Sequence, residues 1–127
     1  MRGLARPVLA LLPLLAACAH ERGPAPDADR PLAVRIERAG GVTRLVLIAA
    51  PGWKINARLK PVLELPDGAR LGFDAPRLTP DSAYFAEPPG ALVAEPRAGI
   101  RGTLRASVCA AGESVCRLAT LEVASEQ

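Results

Sequence analysis

The 127-residue chain lacks several things at once. It has one histidine, one methionine and four aromatic residues, made up of one tryptophan, one tyrosine and two phenylalanines. A single histidine, at position 20, rules out a Ser-His-Asp arrangement in the body of the chain. The carboxylates are scattered singly, so no acid/base pair stands out, and neither a glycine-rich phosphate loop nor a metal-ligand cluster is present. Hydrolase, nucleotide-binding and zinc chemistries are therefore not expected, and no cofactor is expected. No run of Lys or Arg occurs outside the N-terminus, and with so few aromatics a nucleic-acid partner is not expected. No apolar stretch approaches the roughly 20 residues a membrane-spanning helix needs. No segment shows a sustained 3.6-residue period, and there is no internal repeat.

What is present begins at the N-terminus. Arg2 and Arg6 form a short positive region, and Val8 to Leu15 form an apolar core too short to span a bilayer. This is the pattern of a secretory signal. It ends in Leu15-Ala16-Ala17-Cys18, which resembles the lipobox of bacterial lipoproteins. That resemblance implies cleavage before Cys18 and attachment of a diacylglycerol to its thiol. Two acyl chains, at about 0.8 kcal/mol per buried CH₂, make a stable anchor. The expected arrangement is a signal peptide over residues 1–17, a lipidated Cys18 opening a flexible tether over 18–31, and one folded domain over 32–127. The tether is polar, with three prolines, and His20 within it has no assigned role. The expected location is the cell envelope, facing the periplasm. Ala19 after the lipidated cysteine, in place of the aspartate that retains lipoproteins in the inner membrane, favours the outer membrane. Without residues 1–17 the formal charge of +3 falls to +1, because Arg2 and Arg6 leave.

From Leu32 the signals are short strands separated by Gly/Pro turns. Leu32–Arg38 alternates, and Thr43–Ala50 is an apolar run suited to a central strand. Short strand-like segments follow at Trp53–Asn56, Lys60–Leu65 and Ala69–Phe73. The segment 74–89, with four prolines, reads as irregular. Ala91–Glu95, Gly102–Cys109 and Val115–Val123 close the pattern. Seven or eight short strands predict an all-β, immunoglobulin-like β-sandwich. Trp53 is expected in or at the edge of its core, and Asn56 in a turn.

With Cys18 taken by lipid, Cys109 and Cys116 remain as an even pair in an oxidising compartment, where a disulfide is expected. Facing each other across a hairpin, they set a register that pairs Leu104 with Leu121, Ala106 with Ala119, Arg105 with Thr120 and Thr103 with Glu122. This register separates the faces: Leu104, Ala106, Leu121 and Val123 fall on an apolar side. Arg105, Ser107, Thr120, Glu122 and both cysteines fall on the other, with Leu118 the apolar exception. Such a bridge is either a staple, contributing roughly 2–3 kcal/mol through loop entropy, or an exchangeable redox pair. Arg105 and Arg117 near the pair would favour a thiolate, and Glu113 would oppose it.

The Gly52-Trp53 turn, the strand Val62–Leu65, a proline-rich loop and the Val108-Cys109…Cys116 hairpin follow one another in an order that resembles the N-terminal immunoglobulin-like domain of the thiol:disulfide interchange protein DsbD. The resemblance covers about residues 33–123. It implies an electron-relay module that exchanges disulfides with thioredoxin-like envelope oxidoreductases supplied in trans. Cys116 would be the cysteine attacked by the partner and Cys109 the resolving one, so both would be catalytic. A cap loop would shield the pair, the roles falling to Tyr84 and Phe85. The chain departs from the family in having six residues between the cysteines where five are usual. It also has Val115 in place of an aromatic residue and Arg117-Leu118 in place of prolines. The other reading is a non-catalytic binding or structural lipoprotein with a stapling disulfide.

Overall fold

The computed structural model describes residues 3, 25–94, 99–113 and 115–125. Apart from Gly3, the expected signal segment lies outside the described residues, as do Cys18 and His20.

Eight strands form two antiparallel sheets, and the described residues contain no helix: the chain is an all-β sandwich. β1 (Leu32–Ala39), β2 (Val42–Ala49) and β6 (Gly90–Ala94) make a three-stranded sheet in the order β1-β2-β6. The second sheet is built around β7 (Ile100–Ala110). One edge of β7 pairs along its length with β8 (Cys116–Ser125). The other is shared by β3 (Trp53–Ile55) and β4 (Val62–Glu64), and β5 (Arg70–Gly72) extends the sheet beyond β4.

Every strand-like segment of the sequence becomes a strand, with ends that differ by one or two residues: the β3, β4 and β5 segments are trimmed and β7 is longer at both ends. Lys60–Leu65 shortens to Val62–Glu64 because Pro61 and Pro66 cannot donate to a ladder. The segment 74–89 is irregular as expected, with isolated bridges in place of strands: Leu78↔Phe85 within it, and Asp74↔Gly90 and Asn56↔Tyr84 to its neighbours.

The core lies between the sheets. Leu45 and Leu47 of β2 face Leu63 of β4 and Leu104, Ala106 and Val108 of β7, with Phe73 and Phe85 from irregular segments filling between them. The alternation of β7 drives this: its even-numbered residues point inward over a stretch of the sheet covered on both edges. Gly102 marks the tightest approach of β7 to β4. A Cβ there would lie 2.5 Å from the Glu64 carbonyl oxygen, so only glycine lets the two backbones pair.

Residues 27–31, read above as the end of the tether, are seated on the sandwich. Asp27 Oδ1 accepts from the amides of Asp29 (2.9 Å) and Arg30 (2.8 Å), closing a turn. The Pro31 carbonyl accepts from Ala50 N–H at 2.8 Å, and the Ala28 carbonyl from the Arg117 guanidinium at 3.3 Å.

Candidate functional site: the cross-strand cysteine pair

Cys109 and Cys116 form a disulfide, and the β7–β8 register is the one that pairing sets. Leu104 opposes Leu121, Ala106 opposes Ala119, Arg105 opposes Thr120 and Thr103 opposes Glu122. The Ser107 carbonyl accepts from Asn56 N–H at 2.9 Å, so β7 residues of that parity turn their backbone groups to β3. Toward β8, Cys109 and Cys116 are therefore a non-hydrogen-bonded pair, the kind whose Cα atoms approach most closely. Their Cα–Cα distance is 4.1 Å.

The two cysteines share a face but not an environment. β7 is covered on both edges, whereas β8 pairs with β7 alone among the described residues. Cys109, on the central strand, is 1 % exposed; Cys116, at the start of the edge strand, is exposed. Val115 and Leu118 beside Cys116 are exposed as well. The loop between the cysteines is short: Glu113 N–H binds the Ala110 carbonyl at 3.2 Å, and Ala111 N–H binds the Gly52 carbonyl at 2.7 Å. That second bond ties the loop to the Gly52-Trp53 turn, where Gly52 takes a φ of 80° that favours glycine.

Residues on neighbouring elements complete the outward face. Lys54 is the register partner of Cys109 on β3, so it stands on the same face, across β7 from Cys116. Two residues on, Asn56 lies beside Ser107, Nδ2 to Oγ 3.4 Å. The Asn56 Oδ1 accepts from the amides of Arg58 (2.9 Å) and Leu59 (3.4 Å), the turn role expected of it. Residues 83–85 add to the free edge of β3 through Ala57 N–H to the Ala83 carbonyl (2.9 Å) and Phe85 N–H to the Ile55 carbonyl (3.1 Å). This makes Asn56 and Tyr84 a directly opposed pair. Tyr84 therefore lies on the outward face, and the Lys54 ammonium sits 5.1 Å from its ring centroid.

The two aromatics expected in a cap part company here. Tyr84 belongs to the cysteine face; Phe85, one residue on, points inward and is 9 % exposed within the core. The turn that presents Tyr84 is held by Asp81. Its carboxylate accepts from Thr79 Oγ1 (2.6 Å) and Ala83 N–H (3.1 Å), bonds that hold its pKa below the usual aspartate value.

Arg117 does not serve the sulfurs. It has the opposite parity on β8, and its guanidinium lies over the Trp53 ring, 4.7 Å from the centroid, while binding the Ala28 carbonyl. Trp53 itself is partly buried at the edge of the core. Arg105 stays on the cysteine face, but its guanidinium is 3.5 Å from Glu64. Sequence reasoning missed Lys54. β3 is three residues long, and no sequence period fixes how so short a strand aligns with β7. The described residues hold no cluster of His, Cys, Asp and Glu suited to a metal.

Compared with known proteins, the chain matches no family model, no curated protein and no solved structure.

Proposed function

We propose that the chain is a lipid-anchored envelope protein whose sandwich relays electrons by thiol–disulfide exchange through Cys109 and Cys116, in the manner of the DsbD N-terminal domain it resembles. The observation that carries the reading is the asymmetry of the pair: Cys116 is open to an incoming thiolate on an edge strand, and Cys109 is buried behind it. A cysteine thiolate of a thioredoxin-like partner attacks Cys116 Sγ. The Cys109–Cys116 bond breaks, a mixed disulfide forms, and the electron pair leaves on Cys109 Sγ. The partner's second thiol then attacks the mixed disulfide and releases Cys116 as a thiolate. The partner is oxidised, and this domain gains two electrons and two protons for delivery to a further disulfide. Cys116 is thus the attacked cysteine and Cys109 the resolving one, with Tyr84 in the cap. The β7–β8 ladder runs unbroken from Ile100↔Ser125 to Cys109↔Cys116, so the hairpin does not need the bridge to hold its strands together.

The test is trapping. A Cys109→Ser variant, with Cys116 left free, is expected to accumulate a mixed disulfide with an envelope oxidoreductase that reducing agent releases. No adduct, together with a wild-type reduction potential below about −300 mV, would return the bridge to the role of a staple in a binding or structural lipoprotein. The anchor rests on Leu15-Ala16-Ala17-Cys18. Cys18→Ala is expected to abolish maturation and release the protein from membranes. A variant that still fractionates with membranes at the mature size would overturn the lipid anchor.

A further inference from the structure

Breaking the bridge by attack on Cys116 sends negative charge to the less favourable of the two sulfurs. Cys109 is 1 % exposed, and burial disfavours a thiolate. A leaving thiolate in such a place needs a cation beside it. The charged groups around the pair are few, and most are engaged elsewhere. Arg117 on β8 is on the opposite face, over Trp53. Arg105, farther along β7, is paired with Glu64. Around the 79–85 turn, the Arg58 guanidinium binds the Asp81 carbonyl at 3.4 Å, and the Asp81 carboxylate is taken by Thr79 and Ala83. Glu87 is held by Arg77 at 3.1 Å. Glu113 in the hairpin loop is an anion and would oppose the charge. Among the described residues the remaining cation beside the pair is Lys54, directly opposite Cys109 on β3, with its ammonium over the Tyr84 ring.

We propose that Lys54 is the charge-compensating residue of the exchange: it rests over Tyr84 in the disulfide state and moves onto Cys109 Sγ when that sulfur leaves as a thiolate. The inference deepens the redox reading above and rests on it. It makes Lys54 a positioning residue for the leaving group. It also gives Tyr84 a second task, since the ring holds the ammonium while no anion competes for it. A cation–π contact made by an exposed lysine is weak, so a thiolate on its register partner outcompetes it. Departure of the ammonium frees the ring, which links the cap to the oxidation state of the pair.

The experiment uses the full chain carrying Cys18→Ser, so that Cys109 and Cys116 are the only cysteines, and dithiothreitol as reductant. A small dithiol reads the chemistry of the leaving group without a protein partner, so the outcome is independent of whether trapping finds one. Lys54→Met is expected to slow reduction about three- to tenfold, because a less stabilised leaving thiolate departs more slowly. Lys54→Arg is expected to restore most of the rate. In the added background Cys116→Ser, the thiolate absorbance of Cys109 is expected to rise at higher pH in Lys54→Met than with Lys54 present, and to return toward the original midpoint in Lys54→Arg. Tyr84→Leu, which removes the resting place, is expected to speed reduction when Lys54 is present and to lose most of that effect in Lys54→Met. Unchanged reduction and an unchanged thiolate midpoint in Lys54→Met would overturn the proposal. So would an equal acceleration by Tyr84→Leu with and without Lys54, which would leave the ring as a simple shield.

Discussion

The outward faces of the two sheets share an arrangement and differ in the chemistry of the buried residue at its centre. Each carries a glutamate between two arginines. Glu37 lies between Arg35 (2.9 Å) and Arg44 (3.9 Å) on the three-stranded sheet, and Glu64 between Arg105 (3.5 Å) and Arg70 (4.0 Å) on the five-stranded one. These pairs are largely solvated and contribute little to stability. Each face also has a buried residue on its central strand with a cationic neighbour. On the smaller sheet it is Val46, 2 % exposed, with Arg35 as its register partner on β1. Gly90 stands opposite on β6, where the Arg44 guanidinium occupies the space a side chain would need. On the larger sheet it is Cys109, with Lys54 opposite. A valine can only be covered, so the arginines there lend their stems and keep the sheet soluble. A half-cystine can become an anion, and the same arrangement then has a chemical consequence. Burial beside a cation becomes a site only where the buried atom can change its charge.

The comparison can be broken from the inside first. Leu104 is fully buried between Leu63 and Leu121, beneath the five-stranded sheet. Leu104→Ala is expected to cost about 2–5 kcal/mol in urea denaturation, more than any change on either outward face. Removing the two outward features separately sharpens the contrast. Chain entropy bounds the bridge's contribution at about 2.5 kcal/mol for a loop of this size. With the hairpin ladder intact, Cys109→Ala with Cys116→Ala is expected to cost less than that bound. Val46→Ala deletes two buried carbons and is expected to cost about 1.5 kcal/mol. A bridge loss at the full bound would mark it as a staple; a loss no larger than that of Val46→Ala fits an exchangeable pair. The smallest effect is one of acidity. The Asp81 carboxyl titrates below its ordinary 3.8, chiefly through its bond from Thr79 and then that from Ala83. Its contribution is therefore complete above about pH 3.8 and is lost as the pH falls through the lower folded value. In NMR, the Ala83 amide and the Tyr84 ring are expected to shift together in that acid range. Independent movement of the Tyr84 ring would separate the ring from the Asp81 turn.

Much of the fold was legible because strand signals are local. Alternation in Leu32–Arg38, the apolar run from Thr43, and proline and glycine punctuation locate all eight strands to within a residue or two. The hairpin register was legible because one pairing of two cysteines forces every other, and the partition of Leu104, Ala106, Leu121 and Val123 from the polar side agreed with it. The differing fates of Tyr84 and Phe85 were not legible: adjacent aromatics in a proline-rich loop carry no period, and the edge of β3 decides which one turns outward. The direction of Arg117 was equally hidden, since proximity to Cys116 in sequence places it on the opposite face of the strand.

The sequence by itself determined an all-β chain, a matched pair of cysteines and their register, because pleat alternation and covalent pairing are properties of neighbouring residues. Only the tertiary structure decided that Cys109 is buried and Cys116 open, and that Lys54 and Tyr84 share their face. Those outcomes depend on which strand lies at a sheet edge and which is enclosed. That is settled by the packing of β3 and β8 on either side of β7, and the β3–β7 pairing joins segments more than fifty residues apart in sequence.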